Sequence, residues 1–142
     1  MPGRLRFTPM EAGIENFAGV IIENKDGEVL LVRKLHHYAY AIPWCRIIPG
    51  KNLQECIIER VRDLTGIAIH PVFLGPSEHI EGDSHFISFD HVASVDTSKH
   101  HYERDDLDYL WIYPSDFHTI PLVPLTQSIL EKYCEEHSLE IG

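Results

Sequence analysis

The amino-acid sequence predicts an α/β domain, and three observations carry that prediction. Two β-branched runs flank an Asp-Gly turn early in the chain, one strongly amphipathic helix occupies the middle, and strand-like segments followed by a terminal helix complete it. The order is β-rich, helix, β-rich, helix, with no internal repeat, low-complexity segment or linker to divide it.

Residues 17–34, FAGVIIENKDGEVLLVRK, place aliphatic and β-branched residues on either side of Lys25-Asp26-Gly27. Asp-Gly supplies the positive φ that a tight turn needs, so this segment reads as a β-hairpin. HHYAYAIPWCRIIPG follows, in which Pro43 and Pro49 interrupt the apolar and aromatic residues. Short strand pieces and a loop fit that pattern better than a long strand. Over residues 51–65, Leu53, Cys56, Ile57, Val61 and Leu64 recur at helical spacing, with Asn52 as N-cap and Gly66 as the stop. Strands are expected over about 67–74, 85–95 and 107–113, the last two separated by a polar loop at 96–106. Pro114-Ser115-Asp116-Phe117 reads as a helical turn entered through proline, and 124–137 as a terminal helix.

With 142 residues and 44% apolar content, the chain is the size of one domain with an ordinary core. The expected division is an N-terminal extension at 1–16, the domain at 17–137 and a tail at 138–142. Twelve basic against 22 acidic side chains give a formal charge of -10, which disfavours nucleic acid and anionic membrane surfaces as partners. Cys45, Cys56 and Cys134 are odd in number and far apart, so neither a disulfide framework nor a metal knuckle is indicated. No apolar run approaches the ~20 residues of a membrane span, and the first residues have no signal-like apolar region. A cytoplasmic location is expected.

From about Phe17 to Tyr133 the sequence resembles the Nudix hydrolases. The hairpin, Ile42-Pro43 on the approach, Pro49-Gly50 before the helix, and a Trp111-Ile112-Tyr113 strand followed by a helical turn and last helix match the family's order and spacing. The resemblance implies an α/β/α sandwich of Nudix type, with a central mixed β-sheet between the motif helix and the C-terminal helix. The family motif, G-x5-E-x7-R-E-U-x-E-E-x-G-U with U aliphatic, falls without a gap on Cys45, Lys51, Glu59, Arg60, Val61, Asp63, Leu64, Gly66 and Ile67. Of these, Val61, Gly66 and Ile67 match and Asp63 is a conservative replacement. The family usually has a Gly-Gly pair where Trp44-Cys45 stand, a change that removes glycine's backbone freedom.

In a working family member the positions of Arg60, Asp63 and Leu64 hold glutamates, whose mutual repulsion is relieved by Mg²⁺ or Mn²⁺ that polarises the diphosphate. Here the trio is a cation, an anion and a hydrocarbon. Moving one charge from attraction to repulsion at ~4 Å changes a divalent-ion interaction by several kcal/mol even at an effective dielectric of ~20. Arg60 cannot lose its proton, so strong metal binding at this position should fail. A guanidinium there, with Arg46 and Lys51 at the helix entrance, suits a phosphate; the blander role for Arg60 is a pairing with Asp63 at the rim of the core.

Further constellations add candidates. Glu55, Glu59 and Asp63 form an acidic row at i, i+4, i+8, read either as a displaced metal site or as a solvated face beside Arg62. His100-His101 lies near Glu103, Asp105, Asp106 and Asp108 in what reads as an exposed polar loop. The resemblance makes Glu103 the supplementary acid or base to test beside Glu59 and Asp63. Arg33, Trp44, Arg46, Lys51 and Arg60 are the expected ligand-binding set, with Trp44 in an aromatic-rich stretch suited to a nucleobase. The leading expectation is a Nudix-like domain, weak or inactive as a hydrolase, that binds a nucleotide-like ligand or a protein partner. The alternative is an active hydrolase of nucleoside diphosphates linked to another moiety, with Mg²⁺ or Mn²⁺ on displaced carboxylates. A dimerisation or scaffold module, such as a homodimer, is the third.

Overall fold

A computed structural model describes residues 13–96 and 104–141, with side chains as far as residue 136. The elements are β1 (Ile14–Glu23), β2 (Val29–Lys34), β3 (Trp44–Arg46), α1 (Leu53–Thr65), β4 (Val72–Glu81), β5 (Ser84–Ser94), β6 (Leu107–Ile112), a 3-10 turn (Pro114–Thr119) and α2 (Pro124–Ile141). Residues 14–16 and 138–141 thus lie in regular elements.

Alternation along β1 and β2 decides the layers. Val20, Ile22 and Leu30 pack on one face with Ile57 and Val61 of α1. Ile21, Val29 and Leu31 pack on the other with Ile129, Leu130 and Tyr133 of α2. Successive strand residues point to opposite faces, and here both faces are apolar, which is the pattern of a sheet covered on both sides. The α/β/α sandwich expected from the sequence is the observed architecture. The strand order is β4-β5-β1-β2-β6, with β3 also paired to β1. β1 runs parallel to β5 and antiparallel to β2 and β3, so the sheet is mixed.

The Asp-Gly turn joins β1 and β2 as expected, with Gly27 at φ 85°. Pairing between the two strands, however, is confined to the turn end, at Glu23↔Val29. Beyond it they part, and the chain after β2 returns as a wedge between them. Ala41 exchanges both backbone hydrogen bonds with Val32, Pro43 O accepts from Val20 N–H at 3.1 Å, and β3 pairs with Phe17, Ala18 and Gly19. Proline can sit there because the bond uses its carbonyl and needs no N–H. Trp44 and Cys45 are accordingly extended, at positions that require no glycine geometry.

α1 begins and ends where its capping residues dictate. Asn52 Oδ1 accepts from the Glu55 N–H at 2.8 Å and Glu55 returns a contact to the Asn52 N–H, a complete capping box. Gly66 takes the left-handed conformation at φ 78° and donates its N–H to Arg62 O. Ile57 and Val61 are essentially inaccessible, each burial stabilising the fold by about 1.5–3 kcal/mol.

One expected strand is displaced. Residues 67–71 are irregular, Ile69 is buried under α1, and the strand runs instead from Val72 to Glu81. Pro71 delays its start, its carbonyl accepting from Gln54 Nε2. Gly75-Pro76, which reads locally as a break, is accommodated because β4 is an edge strand and carries a register shift between Phe73 and Gly75. No helix of the described residues is long and apolar enough to cross a membrane.

Replacing Asn52 by alanine removes the cap, and the expected loss is about 1 kcal/mol of unfolding free energy, read from the urea midpoint. Burial holds the His79 and His91 rings below the ordinary histidine value of 6.5. Folding therefore excludes their protons, so the associated stability is complete above pH 6.5 and is lost as pH falls through the lowered values. A urea midpoint lower at pH 5 than at pH 7.5, with a shallower dependence in His79→Gln, is the expected result.

Candidate functional site

Val32 near the end of β2, Leu64 near the end of α1 and Leu107 at the start of β6 pack into a small buried cluster, and polar side chains of the same elements rise around it. A cavity of about 370 Å³ lies there. Val32, Arg33 and Lys34 of β2, Pro43 and Trp44 of the wedge, Arg60 and Leu64 of α1, and Arg104 and Leu107 surround it. Arg33, Lys34, Arg60 and Arg104 line it together with His37, and among the described residues no carboxylate does.

Carboxylates stand behind the cations instead. Arg33 Nε donates to Asp108 at 2.9 Å across the β2–β6 pair, and the guanidinium lies 4.5 Å above the Tyr40 ring. Arg104 makes a two-point contact with Asp106, at 3.0 and 2.8 Å, and a third with Asp63 at 3.2 Å. That pairing raises Arg104 further above its ordinary value and lowers Asp106 below its own. Arg60 donates from Nε to Trp44 O at 3.2 Å and approaches Asp63 at 3.6 Å. Asp63 is thus shared by two guanidinium groups, one from its own helix and one 41 residues away. Tyr109 OH donates to Leu64 O and ties β6 to the end of α1.

Of the ligand-binding residues expected from sequence, Arg33, Trp44 and Arg60 come together here. Arg46 does not line the cavity; it faces Glu15 at 3.7 Å and sits over the Phe17 ring. Lys51 is engaged by Glu59 at 2.6 Å, a hydrogen bond that raises its pKa. Glu103 and the His100-His101 pair lie outside the described residues. Lys34, His37 and Arg104 were missed as lining residues. Arg104 lay in a segment legible only as polar, and no local pattern connects it with α1.

The donor set does not fit a divalent cation. Along the acidic row, Glu55 caps the helix, Glu59 holds Lys51 and Asp63 holds two arginines, while Leu64 is a buried hydrocarbon. Hard cations require several converging oxygens. Among the described residues no group of three or more His, Cys, Asp or Glu side chains is placed to hold a metal.

Trp44 also borders a second, largely apolar cavity of about 260 Å³, with Phe17, Ile42 and Phe86. Its ring meets Phe17 edge-on at 5.1 Å. Gly19 lines it too, and a Cβ there would stand 3.2 Å from Ile42 Cδ1, so that side chain would have to give way. Beside Trp44, burial pushes the Cys45 thiol up to about 11, with Cys56 adding to the shift. The thiolate is the reactive form. Alkylation of Cys45 by iodoacetamide, followed by mass spectrometry, should therefore be slow at pH 8 and accelerate only as pH approaches 11; labelling at pH 8 as fast as in the urea-unfolded chain contradicts this.

The sequence matches no family model and no curated protein. Its fold, by contrast, matches solved structures. The MutT protein from Methanosarcina mazei Go1 superimposes with a TM-score of 0.73 at 18% identity, covering 89% of this chain and 97% of that one. A MutT Nudix hydrolase from Burkholderia pseudomallei gives 0.68 at 18% identity, with 83% and 96% covered. A Nudix hydrolase from Nitrosomonas europaea gives 0.66 at 16% identity, with 86% and 89% covered.

Proposed function

We propose that this chain, which has the Nudix hydrolase fold, is a nucleotide-binding domain whose hydrolytic activity is weak or absent. One observation carries the reading: beside an open cavity, the helix face that resembles the Nudix motif presents Arg60, Asp63 and Leu64 instead of a converging set of carboxylates. Catalysis of diphosphate cleavage needs a cation to stabilise charge developing on the phosphoryl oxygens. A side chain that is permanently positive holds off that cation, yet it remains a good partner for phosphate. The aromatic and apolar boundary supplied by Trp44 and Pro43 suits the uncharged part of such a ligand. The motif is read here as degenerate, and the three free cysteines suit a reducing cytoplasm.

A protein partner is the second reading, supported by the edge strand β4, where Val72, Phe73, Leu74 and Ile80 are exposed. Light scattering of the purified chain tests its simplest form, a homodimer.

For the nucleotide reading, the decisive assay incubates the protein with ADP-ribose, nucleoside triphosphates and dinucleoside polyphosphates, with Mg²⁺ or Mn²⁺. Turnover far below ~1 s⁻¹ is expected, and turnover at that level or above refutes the loss of activity. A nucleotide at 100 times its dissociation constant should add about 2.7 kcal/mol of stability in a thermal-shift measurement. Absence of any shift with every nucleotide removes the binding reading.

A further inference from the structure

We propose that the 370 Å³ cavity binds the diphosphate portion of its ligand free of divalent metal, and that Mg²⁺ opposes binding. This inference rests on the nucleotide-binding reading above and sets its charge requirement. Four permanent cations line the cavity, Arg33, Lys34, Arg60 and Arg104, in a chain whose formal charge is -10. Among the described residues their carboxylate partners, Asp63, Asp106 and Asp108, are one fewer and do not line the cavity.

Those carboxylates do more than neutralise. The two-point grip of Asp106 on Arg104, the Asp108 contact on Arg33 and the Trp44 carbonyl on Arg60 hold three guanidinium groups in place before a ligand arrives. Groups already ordered lose less conformational freedom on binding. Each planar guanidinium carries five N–H donors, more than these contacts consume, and its fork matches the spacing of phosphate oxygens.

Metal changes the balance in one direction. Mg²⁺ bound to a diphosphate cancels two of its negative charges and brings a dication towards Arg60 and Arg104, while Asp63 is already shared between those same arginines and Asp106 is held by Arg104. Attraction to the lining cations falls, and among the described residues no oxygen cage offsets the loss. The preference is the reverse of that in a site built from carboxylates.

Isothermal titration with ADP and with inorganic pyrophosphate, each in EDTA and in saturating Mg²⁺, tests the proposal. Affinity in EDTA should exceed that in Mg²⁺ by about tenfold or more, as a loss of two ligand charges near several cations implies. Arg60→Gln, checked for folding by circular dichroism, should weaken binding in EDTA by about tenfold and shrink the Mg²⁺ penalty. Binding that is equal or tighter in Mg²⁺, or unaffected by Arg60→Gln, overturns the metal-free proposal and leaves the nucleotide reading standing. No binding of either probe under either condition overturns the nucleotide reading itself.

Discussion

From Phe17 onward β1 has hydrogen-bonding partners along both edges and is buried as far as Ile22, and the rest of the molecule is arranged by that constraint. Ten residues of β1 pair in parallel with β5 on one side, while β2, the wedge and β3 share the other. An interior strand leaves no backbone group to water, so whatever fills its second edge must supply matching donors and acceptors. β2 does so only near the turn, and residues 43–46 pair with Phe17 to Val20. Val32 at the diverging end of β2 packs instead with Leu64 of α1 and Leu107 of β6, and the cavity lies over that cluster.

Around that cavity, charge is sorted over a few ångströms. The chain as a whole is acidic, yet the charged groups bordering the cavity are arginine and lysine, with the carboxylates placed behind them. Asp63 is the hinge of this arrangement, since it accepts from Arg60 on its own helix and from Arg104 of the segment preceding β6. The exposed ion pairs add little to stability. On the proposed phosphate-binding reading they hold guanidinium groups where a phosphate would meet them, which depends on geometry more than on net pair energy.

Local elements were legible wherever a short-range rule governs them. Asn52, Glu55 and Gly66 announced both ends of α1, and Asp26-Gly27 announced the turn. That Arg60 falls within the apolar stripe of the helix was likewise readable from spacing, and the structure places Arg33, Trp44 and Arg60 around one cavity. Illegible were the start of β4, because Pro71 and Gly75-Pro76 carry break signals that an edge strand overrides, and the separation of Arg46 and Lys51 from the cavity. Both residues found nearer acidic partners, Glu15 and Glu59, and the first of these pairings joins residues 31 positions apart in the chain.

By itself the sequence determined the class of the fold, the capped amphipathic helix, and the types of side chain presented by its inward edge, because turns, caps and periodicity act over a few residues. Tertiary structure alone decided that β1 lies beside β5 in parallel, that residues 41–46 enter between β1 and β2, and that Arg104 reaches Asp63. Those outcomes depend on which distant surfaces bury each other, and a strand's pattern states that it will be buried without stating against what.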